Sequence, residues 1–91
     1  MLELAKIEDA ARRLKGKIAR TPWVESQLLS ELAGCRIHLK FENLQYTASF
    51  KERGACNKLL LLTEEERARG VIAMSAGNHA QVVAYHAQRM G

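Results

Sequence analysis

A lysine near the middle of the chain has neighbours that suit covalent or acid–base chemistry. It lies in the segment Thr47-Ala48-Ser49-Phe50-Lys51-Glu52-Arg53-Gly54. Ser49 and the glutamate three residues later form a capping-box pattern, which predicts a helix that begins at Ser49. Lys51 then lies in the first turn, where the positive end of the helix dipole disfavours the charged ammonium. Nucleophilic and general-base lysines react as neutral amines. The alternative interpretation is a surface lysine that pairs with Glu52.

Two further residues of this segment suit a reactive site. Phe50 would place an apolar wall beside the lysine. Gly54 falls inside the predicted helix, where glycine costs about 1 kcal/mol relative to alanine. This cost predicts that another group approaches the helix closely at Gly54.

A second candidate site is the turn Ser75-Ala76-Gly77-Asn78-His79, which follows the apolar run Val71-Ile72-Ala73-Met74. The run predicts a buried parallel strand. A corner between a strand and a helix directs backbone N–H groups at an anion, such as a phosphate or a carboxylate. Gly77 would permit a close approach or a positive φ, and Asn78 offers an amide donor and acceptor. The alternative is that Asn78 only caps the following helix.

The histidines and cysteines are not spaced as metal ligands. His79 and His86 lie on one predicted helix without a third ligand, and His38 is expected on the exposed face of a strand. Cys35 and Cys56 are predicted to be reduced, partly buried thiols of a cytoplasmic protein. The sequence therefore predicts no metal site.

The composition is that of an ordinary globular protein, with 47% hydrophobic and 26% charged residues among 91. The longest apolar runs have about four residues, whereas a membrane span needs about 20. The N-terminus has no apolar signal-peptide region. The net charge of +4 comes from basic residues that are spread along the chain beside acidic ones. We therefore expect neither a membrane nor a nucleic-acid partner.

Helices and strands in alternation are predicted to position these residues. The helices span residues 3–15, 26–33, 49–62, 63–70 and 78–90, and the strands span residues 37–42 and 71–74. Alternation of apolar and polar residues at 37–42 marks a strand with one buried face. The order of elements is typical of an α/β fold, in which helices cover a parallel sheet. Because two strands leave such a sheet incomplete, we expect the chain to be the N-terminal part of a larger protein.

Four segments, in order and at natural spacing, resemble the threonine ammonia-lyases (threonine dehydratases). They are Arg20-Thr21-Pro22, Leu39-Lys40-Phe41-Glu42-Asn43-Leu44-Gln45, Ser49-Phe50-Lys51-Glu52-Arg53-Gly54-Ala55 and Ser75-Ala76-Gly77-Asn78-His79-Ala80-Gln81. These enzymes use pyridoxal 5'-phosphate and have the tryptophan synthase β-like fold, also called fold type II. The resemblance implies that residues 1–48 belong to a large domain and that residues 49–91 enter a small one. It places the predicted strands at 37–42 and 71–75 in different domains.

The resemblance also implies roles for the residues of both candidate sites. Lys51 would form the Schiff base with the cofactor and then act as the base that removes the α-proton of the substrate. Asn78 would hydrogen-bond the 3′ oxygen of the cofactor ring, and Phe50 would lie close to that ring. The turn 75–79 would receive the substrate carboxylate.

The implied reaction is the elimination and deamination of L-threonine to 2-oxobutanoate and ammonia, in isoleucine biosynthesis or threonine catabolism. The alternatives are a serine or 3-hydroxyaspartate ammonia-lyase of the same family and a truncated segment without catalysis. The resemblance implies a small amino-acid substrate and a homo-oligomer of the full-length enzyme. The family's glycine-rich phosphate-binding loop is not among these 91 residues. We therefore expect the chain alone to bind the cofactor poorly and to be inactive.

Three positions depart from the family pattern or discriminate within it. Ala48 stands where the family usually has glycine, and Val82 stands where glycine often follows Ala-Gln. Related serine racemases tend to carry a serine, as a second acid or base, at the position of Ala76. An alanine there has no proton to give, which favours a lyase over a racemase.

Overall fold

The structure, a computed structural model that describes residues 1–73 and 77–91, is built mainly of helices. These are α1 (Leu4–Leu14), α2 (Gln27–Ala33), α3 (Lys51–Leu60), α4 (Glu64–Arg69) and α5 (Asn78–Met90). Two strands, β1 (Trp23–Glu25) and β2 (His38–Lys40), and a short 3-10 helix at Glu42–Leu44 lie among them. Each predicted helix is confirmed to within two residues at both ends. Within the two described ranges, no helix has the length and apolar character needed to cross a membrane.

Local hydrogen bonds and one left-handed residue set the ends of the short helices. At the start of α2, the Ser26 Oγ accepts a hydrogen bond from the Leu29 N–H at 3.2 Å, and Gly34, with a φ of +71°, ends that helix. At the start of α4, Thr63 and Glu66 form a capping box, with distances of 3.1 and 2.9 Å. The backbone hydrogen bond from Thr63, with that from its side chain, holds the pKa of Glu66 below its usual range.

α3 is the central element, because it packs against both α5 and α1. The buried apolar side chains of these three helices are Leu14, Ala55, Cys56, Leu59 and Val82. Each large aliphatic side chain that is fully buried contributes about 1.5–3 kcal/mol relative to an exposed one. The Arg13 guanidinium also donates to the side-chain oxygen of Asn57 at 2.5 Å, which joins α1 to α3.

The sheet differs from the predicted parallel arrangement. β1 and β2 pair antiparallel, with Trp23 opposite Lys40 and Glu25 opposite His38. Sequence patterns do not predict β1, because three residues after Pro22 are too few to show a period. His38 lies on the exposed side of β2, as predicted, and its ring stacks on Trp23 with the ring centroids 5.4 Å apart.

The second predicted strand is not formed where the structure describes it. Val71, Ile72 and Ala73 are exposed and have no strand geometry, and Met74 lies outside the described residues. A strand exists only through hydrogen bonds with a neighbouring strand. In the described ranges, the only strands are β1 and β2, which pair with each other. The apolar composition of this run was therefore not enough to predict a strand.

Both cysteines are free thiols. Cys56 is buried, which raises the pKa of its thiol and favours the protonated form over the nucleophilic thiolate. Cys35 is exposed, so its predicted partial burial is wrong. It lies in the turn between α2 and β2, and turns run over the surface because their backbone polar groups need water.

Val82 offers a direct test of the contact between α3 and α5. Its side chain is fully buried, so replacement by alanine leaves a cavity that packed helices fill only in part. We expect Val82→Ala to lower the free energy of unfolding of the whole protein by about 2 kcal/mol, measured from urea unfolding curves. The control is Gln88→Ala at an exposed position of α5, which should change stability by less than about 0.5 kcal/mol. Equal effects of the two substitutions would contradict the position of Val82 in the core.

Candidate active site

Lys51 is the first residue of α3, one position earlier in the helix than predicted. The Ser49 Oγ accepts a hydrogen bond from the Lys51 N–H at 3.2 Å, and the Ser49 carbonyl oxygen accepts one from the Glu52 N–H at 3.3 Å. The predicted capping box between Ser49 and Glu52 is not formed, because the Glu52 carboxylate binds the donors of Thr47 instead. Lys51 nevertheless lies in the first helical turn, as predicted.

Lys51 is exposed, and so is the aromatic residue that precedes it in the chain. Phe50 keeps 68% of its accessible surface. Throughout residues 1–73 and 77–91, no carboxylate lies within ion-pairing distance of the Lys51 amine. The alternative of a surface ion pair between Lys51 and Glu52 is therefore excluded, and the amine is accessible to a ligand.

Glu52 is buried immediately next to the exposed lysine. Its Oε1 accepts hydrogen bonds from the Thr47 N–H at 2.7 Å and from the Thr47 hydroxyl at 2.6 Å. Its Oε2 lies 3.3 Å from the Nε2 of His86, on α5. Glu52 thereby closes the loop between Thr47 and α3 and connects this loop to α5. The sequence predicts neither contact.

Ala48 lies in this loop and has a left-handed backbone, with a φ of +58°. A residue with a Cβ is strained there by about 1–2 kcal/mol, whereas glycine adopts the same conformation freely. This geometry gives a physical reason for glycine as the usual residue of the resembling family at this position.

A second carboxylate, Glu42, holds the residue two positions after Lys51. Its Oε1 accepts hydrogen bonds from the Nε and Nη2 of Arg53 at 3.1 and 2.8 Å. Oε1 also accepts one from the Thr21 hydroxyl, and Oε2 accepts one from the Gln45 amide, both at 2.9 Å. Burial alone would raise the pKa of Glu42. The hydrogen bonds, that from Arg53 first, and the Arg53 charge outweigh burial and hold this pKa below its usual range.

The Glu42 network joins three of the four segments that carry the family resemblance, namely those of Thr21, of Glu42 with Gln45, and of Arg53. The Gln45 amide also bonds the backbone N–H and C=O of Ala19, both at 2.9 Å. Sequence reasoning misses this role, because the residues lie in separate segments and no local period links them. The motif that contains both Glu42 and Gln45 was the sequence signal from which this role could have been found.

The second candidate site is at the start of α5. Gly77 precedes the helix with a φ of −144°, so of the two options that glycine permits there, the positive φ is not adopted. Asn78 is the first residue of the helix rather than its cap, and it is exposed, while His79 is half-buried. The alternative in which Asn78 only caps α5 is therefore wrong. Ser75 and Ala76, which complete the predicted turn, lie outside the described residues.

The two candidate sites lie on helices that pack together. Among the described residues, no hydrogen bond joins Lys51 to Asn78. Glu52 faces His86, which is eight residues along α5 from Asn78, or about 12 Å at 1.5 Å per residue. At Gly54, a Cβ would meet nothing within 4 Å. The predicted close approach to Gly54 is therefore not found in the part of the chain that the structure describes.

Comparison with known proteins decides the family. The sequence profile of the family described as pyridoxal-phosphate dependent enzyme matches residues 14–91. The chain belongs to this family. It is 56% identical over 91 residues to the L-threonine ammonia-lyase of Thermotoga maritima. This alignment covers 100% of this chain and 23% of that protein. It is 47% identical over 92 residues to the catabolic L-threonine dehydratase TdcB of Staphylococcus aureus. That alignment covers 100% of this chain and 27% of the dehydratase.

Two solved structures share the fold over nearly the whole chain. The threonine deaminase of T.th. has a TM-score of 0.82 and 46% identity, covering 98% of this chain and 31% of that one. The serine racemase of Dictyostelium discoideum has a TM-score of 0.89 and 42% identity, covering 97% of this chain and 29% of that one. The chain spans between 23% and 31% of the length of these relatives. The predicted α/β fold of type II, with an incomplete sheet, and the pyridoxal-phosphate dependence of the family are confirmed.

The strain at Ala48 predicts that glycine is better at this position. Ala48→Gly removes about 1–2 kcal/mol of left-handed strain and adds about 0.4–1 kcal/mol of chain entropy to the unfolded state. We expect a net gain in the free energy of unfolding of about 0.5–1 kcal/mol, measured by urea unfolding of the whole protein. The control is the reverse substitution at another left-handed position, Gly34→Ala, where φ is +71° and an added Cβ would have no atom within 4 Å. It should destabilise, and destabilisation by both changes would contradict the left-handed geometry of Ala48.

The lowered pKa of Glu42 predicts an acid-dependent loss of stability. A carboxyl with a lower pKa in the folded state stabilises the fold at neutral pH, and this contribution disappears as the pH falls below about 4.3 and through the folded pKa. We expect Glu42→Gln to be less stable than wild type at pH 7, with a difference that shrinks toward pH 3, in urea unfolding of the whole protein. Glu65→Gln, an exposed change on α4, should leave the acid profile unaltered. An equal deficit of Glu42→Gln at both pH values would refute the assigned role of the Glu42 charge.

Proposed function

We propose that the whole protein to which this chain contributes is a threonine ammonia-lyase, which converts L-threonine to 2-oxobutanoate and ammonia with pyridoxal 5'-phosphate. The observation that carries the proposal is the accessible amine of Lys51 at the start of α3, in a chain of a pyridoxal-phosphate dependent family. Relatives named for threonine deamination, one of them 56% identical, support the substrate.

The residues present suit this cofactor chemically. A primary amine that is exposed, as at Lys51, can attach the aldehyde of pyridoxal. The exposed ring of Phe50 offers an apolar surface to an aromatic ring. The exposed amide of Asn78 can donate to a ring oxygen, and the N–H groups at the start of a helix suit a carboxylate.

The proposed mechanism divides the work between the two helix starts. When bound, pyridoxal phosphate supplies an electron sink for the bonds of the substrate α-carbon. The Lys51 amine holds the cofactor before the substrate binds, and its Nζ then accepts the α-proton as a general base. Asn78 would orient the ring, and residues 75–79, the predicted turn, would receive the substrate carboxylate. The net reaction turns threonine into one oxo acid and one ammonia and consumes no water.

We further propose that residues 1–48 belong to a large domain and that residues 49–91 enter a small one. β1 and β2 lie wholly in the first part, and α3 to α5 lie wholly in the second. The enzyme is proposed to be a cytoplasmic homo-oligomer that acts on a small amino acid in isoleucine biosynthesis or threonine catabolism, without a nucleic-acid or membrane partner. The family resemblance supports these proposals.

L-Serine is the second substrate to test. The similarity to the serine racemase of Dictyostelium discoideum, at 42% identity, favours it. Racemisation requires an acid on the second face of the substrate, and the alanine at position 76 has no proton to give. Deamination of serine is therefore the second candidate function, ahead of racemisation.

Lys51→Ala tests the proposed function. The whole protein is incubated with pyridoxal phosphate, reduced with borohydride and digested. We expect the cofactor mass on the peptide that contains Lys51, and we expect Lys51→Ala to lose this label and to deaminate threonine more than about 10³-fold more slowly. Lys58→Ala, which removes another lysine of the same helix, should keep both.

A label on another lysine, or near-normal turnover by Lys51→Ala, would contradict the assignment of Lys51. The isolated chain of 91 residues serves as a second sample. It is expected to retain no cofactor after gel filtration.

A further inference from the structure

A buried acid–base pair joins the lysine-bearing loop to α5. Glu52 is 0% and His86 is 2% exposed, and the Oε2 of Glu52 lies 3.3 Å from the Nε2 of His86. Neither atom has a hydrogen-bond partner among the described residues, so the two buried polar atoms have only each other as a close polar neighbour. Burial of a carboxylate costs free energy that only good partners offset, and apolar side chains of similar size often fill such a position with greater stability. The needs of packing therefore do not explain this pair.

The other oxygen of Glu52 is tied to the beginning of the same loop. It accepts from both donors of Thr47, at 2.7 and 2.6 Å. The residues between these two anchors include Ala48, whose left-handed backbone is strained, and Lys51. Strained conformations persist where surrounding contacts over-determine them. The loop therefore cannot shift relative to α5 without breaking a contact of Glu52.

Aromatic contacts at the start of this loop reinforce the same alignment. The rings of Tyr46 and Tyr85 lie 5.9 Å apart, and the Tyr85 ring meets the His86 ring edge-on at 5.0 Å. The Arg89 guanidinium lies 5.4 Å from both tyrosine rings, which suits a cation–π contact. The part of α5 that contacts the loop is therefore the part that carries His86.

We infer that Glu52 and His86 are positioning residues, which keep Lys51 in fixed register with the start of α5. Asn78 begins the same continuous helix, about 12 Å before His86. Since a helix is stiff over this length, fixing Glu52 against His86 fixes Lys51 relative to Asn78. The inference rests on the proposed function, in which these two residues hold one cofactor. Neither member of the pair needs to touch the cofactor.

The test replaces the pair by apolar residues of similar size in the whole protein. The variants are the double substitution Glu52→Met with His86→Phe, and His86→Phe alone in case the double variant does not fold. The matched control is Val82→Ala, which weakens the packing of α3 against α5 without removing a polar group. Two readouts are compared at a temperature where every variant is folded: hydrogen exchange of the amides of residues 47–51 without cofactor, and kcat and KM for L-threonine with cofactor.

We expect the double variant to be more stable than His86→Phe alone, because it leaves no buried carboxylate without its histidine, although the Thr47 donors lose their acceptor. Its amides at 47–51 should nevertheless exchange about tenfold faster, since the loop loses its anchor. Its kcat should fall by about tenfold with little change in KM, because the loss affects the placement of the reacting amine. Val82→Ala should be less stable but stay within about twofold of wild type in both readouts.

The inference would be overturned if the amides of residues 47–51 in the pair variants exchanged at the rate of wild type or of Val82→Ala. It would also be overturned if the kcat of the pair variants equalled that of either reference protein. His86→Phe alone removes the buried polar neighbour of the Glu52 Oε2, so it should show the same two changes together with a loss of stability. The exchange readout requires no cofactor. A wild-type protein that fails to deaminate threonine would therefore refute the proposed function, while faster exchange in the variants would still report whether the pair anchors the loop.

Discussion

A carboxylate that leaves water must find donors and positive charge inside the protein. Two glutamates near Lys51 are subject to this constraint, and their partners shape the candidate site. Glu52 takes two donors from the preceding loop and faces His86, which draws the loop and α5 together. Glu42 accepts hydrogen bonds from the Arg53 guanidinium, the Thr21 hydroxyl and the Gln45 amide, which ties the start of α3 to the region around the sheet. Lys51 itself stays exposed, directly before the anchored Glu52 and two residues before the anchored Arg53.

This arrangement separates the residues that hold the site from those that can react. The anchors Glu42 and Glu52 are buried or half-buried, and partners within the chain hold them in place. Lys51 and Asn78 are exposed at the starts of two helices that pack together. A reactive amine can be exposed and still be well placed, because its backbone is fixed by the side chains next to it. The same anchors explain how the loop tolerates a left-handed Ala48.

Local patterns predicted those features that local interactions decide. Helix ends followed from caps such as Ser26 and Thr63, whose partners lie three residues away. The two candidate reactive residues were found because a helix start is itself a local feature. The Glu52 carboxylate accepts from the two Thr47 donors instead of from the backbone of Ser49, so the predicted capping box was wrong. Pairing of an apolar run into a strand depends on a neighbouring strand, which the described residues do not supply for residues 71–73.

A crystal structure of the whole protein grown with pyridoxal phosphate would test the account most directly. We expect a covalent bond between the Lys51 Nζ and the cofactor, with the Asn78 amide within hydrogen-bonding distance of the ring. The pair of Glu52 and His86 should persist beneath the loop. Attachment of the cofactor to a different lysine, or a loop detached from α5 while Lys51 holds the cofactor, would contradict the account.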